Sequence, residues 1–391
     1  MSTPLAIYVH IPFCAKHCAY CDFNTYVEKS RSELVNKTVL AIRRDIEQTA
    51  TETETETETN SRSIHTIFFG GGTPTFLSGE QLSSILNTIR NCYDVAADAE
   101  ISSEANPGSS DSEKFNEMRQ AGFNRLSIGV QSFDDQLLIA LDRFHTSSDA
   151  NSALEAAGRA GFASLNLDLM FGLPHQTLAL WAESLQIAQH RKVDHLSLYA
   201  LTLEPGTRFE RLHTGGKLPL PDEDVELAMY EQSIESLQRA GYTHYEVSNF
   251  AKPGHQCRHN LVYWHNEEYI GFGPGAVSYL HGCRYKRERL PGMYCSKVDS
   301  QKSLIVESEQ LNAEGALGET MMLGLRLRAG IDTTRITDRF DIDPLQQYAR
   351  QISKLVKLEL LEQQGTNLKL THRGLLLANT VLAEFLPEVA N

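Results

Sequence analysis

Cys14, Cys18 and Cys21 stand at spacings of four and three in "YVHIPFCAKHCAYCDF", Tyr8 to Phe23. Thiolates are ligands for soft metals, so three of them in one short stretch make a metal loop. A structural zinc site takes four ligands, and His10 or His17 would complete a Cys₃His set. A ferredoxin-type cluster takes four cysteines in runs that this spacing does not match. As they stand, the three thiols are one ligand short. The chain has seven cysteines, an odd number, and no export signal at "MSTPLAIYVH". Metal chemistry in a reducing compartment, the cytoplasm, is therefore expected instead of a disulfide framework. Cys92, Cys257, Cys283 and Cys295 lack clustering and read as structural thiols.

Other polar residues stand where apolar ones would be expected. "FFGGGTP", Phe68 to Pro74, is a glycine run with no Gly-Lys-Ser/Thr after it, so it is not a phosphate loop. Its glycines serve either a tight turn or a backbone exposed to a ligand. Asp168 interrupts the apolar run "LNLDLMFGLP", where a charge is costly unless paired or hydrogen-bonded. Glu104 in "SSEANPG" and Gln131 in "GVQSF" are polar at the ends of apolar runs. Arg143 in "LDRFH" carries a planar fork suited to a carboxylate.

The elements that must position these residues are legible. Apolar β-type runs are Leu5–Ile11, Ile64–Phe69, Ala99–Ser103, Arg125–Val130, Leu165–Phe171 and Leu196–Leu203. Several, such as "IHTIFF" and "LSLYALTL", are nearly continuous in apolar residues, as strands buried on both faces require. Between them lie helical segments. In "LSGEQLSSILNTI", Ser78 and Gln81 fit a capping box, and Leu82, Ile85, Leu86 and Ile89 share one face. Six strand-then-helix units predict an α/β domain whose sheet curls toward a barrel, with its site at the C-terminal strand ends. The cysteine loop follows the first strand and is at that end.

This barrel is expected over residues 1–250, with 51–60, "TETETETETN", as a low-complexity exposed loop. Residues 251–313 read as irregular, rich in Gly and aromatics. Residues 314–391 read as helix, β-hairpin around Gly365 and helix, a winged-helix-like α+β unit. No apolar run approaches the roughly 20 residues that span a bilayer. The formal charge is −14, from 36 basic and 50 acidic side chains, which weighs against nucleic acid as a partner. "RYKRER", Arg284 to Arg289, reads as a solvated loop or a contact for an acidic ligand.

The cysteine spacing resembles the radical S-adenosylmethionine (radical SAM) motif. There, three cysteines hold three irons of a [4Fe–4S] cluster and the nucleotide's amino and carboxylate groups take the fourth. Over almost the whole chain the sequence resembles the coproporphyrinogen-dehydrogenase-like branch of that superfamily. The resemblance implies a (βα)₆ partial TIM barrel. It implies that Cys14, Cys18 and Cys21 bind the cluster beside Tyr8 and Tyr20, with His10 behind them. Gly71, Gly72, Thr73, Glu104, Gln131, Arg143, Asp168 and Ala200 would contact S-adenosylmethionine.

Two groups of the branch remain open at this point. The oxygen-independent coproporphyrinogen oxidases carry Cys-x-Cys where this chain has Cys21-Asp22-Phe23, and a substantial segment ahead of a motif that begins here at residue 8. The HemW-type haem chaperones resemble the chain at both points and share the block "HNLVYW", His259 to Trp264. That group implies haem as a third cofactor, acceptor haem proteins such as membrane-bound respiratory enzymes as partners, and allows a homodimer. His259 offers an axial imidazole, Tyr263 and Trp264 offer flat surface, and Asn260 can fix an imidazole tautomer or bond a propionate. Cys257 and His265 are alternative ligands. "CRHN" is not Cys-x-x-Cys-His, so thioether attachment is not indicated. The competing reading is an aromatic patch closing one barrel end, with His259 merely hydrogen-bonded. A radical SAM enzyme acting on RNA is a third and weaker option, disfavoured by the acidic balance.

Overall fold

The structure is a computed structural model that describes residues 5–53, 62–109 and 111–387. Six parallel strands carry the barrel wall: β1 (Leu5–Ile11), β2 (Ile64–Gly71), β3 (Val95–Ala105), β4 (Arg125–Gln131), β5 (Ser164–Phe171) and β6 (His195–Ala200). They pair in chain order, each with the next, and β1 does not pair with β6. The wall is thus an open, partial barrel. Helices between the strands pack outside it, including Glu33–Thr53, Gly79–Cys92, Ser112–Ala121, Ser147–Ala160 and Leu178–His190.

Local chemistry fixes these helices. Ser78 and Gln81 form the reciprocal capping box of Gly79–Cys92, whose Leu82, Ile85, Leu86 and Ile89 are buried. Thr146 and Asp149 cap Ser147–Ala160 in the same way. Gly122 and Gly161 then end Ser112–Ala121 and Ser147–Ala160 in the left-handed conformation.

The strands are buried on both faces, but the two faces differ in chemistry. Outward residues such as Ile7, Val9, Ile67, Phe69, Leu126, Ile128, Leu167 and Leu196 join the apolar core under the helices. Inward residues include a polar row, Thr66, Ser102, Arg125, Asn166, His195 and Ser197, all buried, beside Tyr8, Phe68 and Met170. Burial on both faces is as expected, but the apolar runs are interrupted by an inward polar row. The sequence alternates "RLSIGVQ" and "HLSL", so one buried face is a polar lumen.

Beyond the six strands the sheet continues to twelve. Asn249–Ala251 and Thr243–Glu246 add antiparallel to β6, and Tyr269–Phe272 adds parallel to the far side of β1. Val277–Leu280, Cys283–Arg287 and Ile305–Gln310 extend that edge antiparallel. The stretch 251–313 therefore contains four short strands, and "RYKRER" lies largely on one of them. There Arg287 is buried against Asp45, at 2.8 Å. Thr51–Thr53 belong to the helix Glu33–Thr53, and the rest of the expected 51–60 loop lies outside the described residues.

From Ala313 a second apolar core forms, including Leu317, Met321, Ile352, Leu355, Leu368 and Phe385. Strands Leu361–Gln364 and Asn367–Leu370 pair as the expected hairpin, with Gly365 at φ +61° in its turn, and Ile331–Asp332 completes a three-stranded sheet. No described helix is long and apolar enough to cross a membrane.

Candidate functional site

The parallel register of β1 and β2 sets His10 beside Gly70 and Ile11 beside Gly71. The cysteine loop, leaving β1, is thereby laid against the glycine run leaving β2. Gly72 N–H donates to Ile11 O at 2.8 Å, and Thr73 N–H donates to Phe13 O at 2.9 Å. Gly71 has φ +110°, and a Cβ there would lie 2.5 Å from the His10 ring. A Cβ on Gly72 would lie 2.7 Å from Phe13 O. Close approach to the loop is therefore what these two glycines provide.

His10 is buried and fully engaged: Tyr8 O–H reaches its Nδ1 at 3.0 Å, and its Nε2–H donates to Asn24 O at 3.0 Å. It pins the far end of the cysteine loop. The far side of the loop is held by β4 and the segment after it. Ala19 N–H donates to Leu141 O at 3.1 Å. Arg143 donates to Gly129 O at 2.6 Å and to Cys18 Sγ at 3.5 Å. Thr73 Oγ1 lies 3.5 Å from Cys14 Sγ.

Cys14, Cys18 and Cys21 all line one cavity of about 490 Å³ inside the barrel mouth. Burial pushes the Cys14 thiol up and the Cys21 thiol up to about 11, so a cationic centre is needed to hold them as thiolates. Among the described residues, no three His, Cys, Asp or Glu side chains are gathered round a point where one ion would sit. His10 is committed elsewhere, and His17 Nδ1 lies 3.2 Å from Cys18 O. The thiols are not gathered round one point as a single zinc ion would require. A cuboidal iron–sulfur cluster spreads its ligands over separate irons, so three thiols on one loop fit it.

Tyr8, Tyr20, Gly71, Gly72, Thr73, Glu104, Gln131, Arg143, Asp168 and Ala200 line the same cavity. Glu104 Oε2 accepts the Gly71 N–H at 3.2 Å. Burial, with the Asp168 charge nearby, raises the Glu104 carboxyl to about 8. Gln131 takes a left-handed φ of +65°, at a register shift against β5 that ends the regular strand. Asp168 is raised by burial, but Ser127 Oγ–H at 2.9 Å and Asn166 Nδ2 at 2.7 Å satisfy it. The cost of placing a carboxyl there is met by the polar face itself.

That face carries residues that reading the strands as apolar runs missed. Asn166 donates to Ser127 and Asp168, so its Oδ1 accepts from His195 Nδ1–H at 2.6 Å and Ser197 Oγ–H at 3.2 Å. His195 Nε2 then accepts from Tyr245 O–H at 2.8 Å. Arg125, Ser127, Asn166, His195, Ser197 and Tyr199 line the cavity. Period-two alternation in β4, β5 and β6 was the signal that would have found most of them.

The block after Cys257 closes the cavity floor. His259, Asn260 and Tyr263 line it, and so does Cys257, read from sequence both as a structural thiol and as an alternative ligand. His259 is fully buried, with its ring stacked on Phe68 at 5.2 Å. Its Nδ1 lies 2.9 Å from Thr66 Oγ1 and its Nε2 3.0 Å from Tyr263 OH. Both imidazole nitrogens are thus in hydrogen bonds, and burial lowers the ring to about 3. Trp264 is not brought to the cavity. It packs under Arg326, 4.5 Å from the ring, because the helix Arg258–Trp264 turns that side chain toward the C-terminal unit. His265 is exposed, and its carbonyl accepts from Arg339.

Residues 8–188 match the Radical SAM superfamily, and residues 311–377 match the HemN C-terminal domain. The haem chaperone HemW of Mycobacterium tuberculosis is 37% identical over 385 residues, 98% of this chain and 95% of that protein. HemW of Bacillus subtilis is 37% identical over 98% of this chain and 99% of that protein. HemW of Escherichia coli is 42% identical over 70% of this chain and 69% of that protein. The solved structure of Escherichia coli coproporphyrinogen III oxidase, a radical SAM enzyme, is similar with a TM-score of 0.85 at 25% identity, covering 99% of this chain and 91% of that one. With its three-cysteine loop, polar lumen and near full-length likeness to these proteins, the chain belongs to the HemW family of radical SAM proteins.

Proposed function

We propose that this protein is a haem chaperone of the cytoplasm that passes haem to acceptor haem proteins, membrane-bound respiratory enzymes among them. The observation that carries this reading is one continuous cavity, from the cysteine loop to the His259–Tyr263 floor, in a chain so similar to HemW haem chaperones. Cys14, Cys18 and Cys21 would hold a [4Fe–4S] cluster, flanked by Tyr8 and Tyr20. The bound cluster supplies an electron donor and an iron open to the amino-acid end of S-adenosylmethionine. Gly71, Gly72, Thr73, Glu104, Gln131, Arg143, Asp168 and Ala200 surround the volume left for that nucleotide.

His259 is the residue we assign to the haem iron. Thr66 does not line the cavity and Tyr263 does, so Nε2 is the nitrogen on the ligand side. With Nδ1–H directed at Thr66, Nε2 carries the lone pair and accepts from Tyr263 O–H. Rotation of the Tyr263 hydroxyl away from Nε2 frees a neutral imidazole. Because the ring is lowered to about 3, protonation would not compete with iron at neutral pH. Anaerobically reconstituted protein titrated with haem is expected to retain it stoichiometrically and to leave coproporphyrinogen III unconverted. His259→Ala should lose the haem absorption band with the iron–sulfur spectrum intact. Wild-type protein that takes up no haem, or that decarboxylates the porphyrinogen, would overturn the reading.

Glu104 gives a pH dependence. At pH 7 a carboxyl at about 8 is mostly protonated in the ligand-free cavity. The sulfonium of S-adenosylmethionine favours its ionised form, so binding releases a proton from Glu104. Affinity should therefore rise with pH up to about 8 and then level off. Calorimetry in buffers of different ionisation heats should register more proton release in wild type than in Glu104→Gln, whose remaining release comes from the amino group that ligates iron. Equal proton release by both proteins would refute the assignment.

A further inference from the structure

The cavity has two levels. β4 runs inward-facing from Gln131 at the mouth to Arg125 at its N-terminal end, six residues or roughly 20 Å away. Arg125 is 3% exposed and lines the floor of the cavity with Cys257, His259, Asn260 and Tyr263. Its Nη1 donates to Ser164 Oγ at 2.7 Å and to His255 O at 3.1 Å, both neutral oxygens. The neighbouring carboxyl groups have other partners. Asp168 is taken by Ser127 and Asn166. Glu100 accepts the backbone N–H groups of Arg258 and His259 and the Cys257 thiol. Among the described residues no carboxylate stands within ion-pair distance of the Arg125 guanidinium; Glu100 and Asp168 act on it only from farther away, so its fork has no direct anionic partner at a buried cavity wall.

A buried cation is costly unless something pairs with it. A guanidinium has five N–H donors in a planar fork that matches a carboxylate. Here the fork lies beside aromatic surface and an imidazole, at the opposite end of the lumen from the cysteine loop. The upper level already has its own guanidinium, Arg143, next to Cys18. A carboxylate at the mouth is thereby served separately, and Arg125 is left for a second one at the floor.

We propose that Arg125 is the carboxylate-binding residue of the cavity floor and receives a propionate of the haem cargo. The assignment rests on the haem-chaperone reading above. It makes the floor a composite site in which His259 meets iron, Tyr263 meets the macrocycle edge and Arg125 meets its acid side chain. Asn260, half-buried on the same floor, is the neighbouring neutral donor.

The test titrates cluster-loaded wild type, Arg125→Ala and Arg125→Lys with haem and with haem dimethyl ester, following the haem absorption band. Wild type should bind haem about tenfold or more tighter than the ester. Arg125→Ala should bind haem and ester alike, with Arg125→Lys between the two. If Arg125→Ala does not fold, Arg125→Lys carries the test, and a Lys variant with the full wild-type preference for haem over its ester overturns the assignment. Equal affinity of wild type for both overturns the assignment while leaving the haem-chaperone reading in place. Arg125→Ala that loses S-adenosylmethionine but still prefers haem to its ester overturns it in favour of the nucleotide's carboxylate. Wild type that binds neither porphyrin defeats the chaperone reading and this assignment together.

Discussion

Replacing any one of Cys14, Cys18 and Cys21 by alanine is expected to reduce iron and sulfide in anaerobically reconstituted protein to background. Each thiol is on a loop anchored at both ends, by His10 to Asn24 O and by Arg143 to Gly129 O and Cys18 Sγ. His10 and Cys257 are held in other bonds and cannot replace a missing thiol. With two ligands left, a cluster loses one of its protein-bound irons and breaks down. Circular dichroism should be nearly unchanged, because Cys14, Cys18 and Cys21 are only half-buried and the core beneath them is independent. Alanine at Cys92 is the matched control and should keep full iron content. A variant of Cys14 that retained the cluster would remove that residue from the ligand set.

Gly71→Ala is expected to be severely damaging for a change of a single methyl group. The backbone at φ +110° is strained for any L side chain, which costs about 1–3 kcal/mol. The new Cβ would also fall 2.5 Å from a His10 ring that cannot retreat, because Tyr8 and Asn24 hold both its nitrogens. Either His10 gives up its bond to Asn24 or the glycine run moves off the cysteine loop. Thermal unfolding should shift down by several degrees, and cluster loading should fall with it. Gly158→Ala is the counterpart. It is in the interior of Ser147–Ala160 with nothing within 4 Å of the added carbon, and should stabilise by up to about 1 kcal/mol. A Gly71→Ala protein as stable as wild type would contradict the packing described for this turn.

What could be read from the sequence was whatever short-range chemistry dictates. The capping box at Ser78 and Gln81, the apolar stripe behind it and the hairpin turn at Gly365 each depend on residues a few positions apart. The cysteine loop is likewise a local spacing, and its placement after β1 follows from the strand ahead of it. The polar lumen was less legible for a different reason. Asn166, Ser127 and His195 are on three strands, and each looks like a stray polar residue until the sheet sets them within hydrogen-bond reach. Asp168 was seen as an anomaly in an apolar run, although it belongs to that inward polar row.

Other features depended on distant partners that no local pattern could supply. Trp264 follows Tyr263 by one residue, yet its neighbour is Arg326 of the C-terminal unit, whose guanidinium also faces the buried Glu246 at 3.6 Å. The strands from Tyr269 to Gln310 are four to six residues long and pair mostly with each other, so period-two signals are too brief to stand out. Arg287, in a basic run that reads as solvated, is instead buried by Asp45 from a helix far away in sequence. His259 stood out in the sequence as a candidate haem ligand, but only the fold reveals that both its nitrogens have hydrogen-bond partners.

Three cysteines would leave one iron of a cluster for the amino-acid end of S-adenosylmethionine. Electron paramagnetic resonance of the reduced, reconstituted protein with and without that nucleotide tests it most directly. The account predicts a four-iron signal whose line shape changes on adding S-adenosylmethionine. A signal that the nucleotide leaves untouched, or protein that binds zinc and no sulfide, would contradict it.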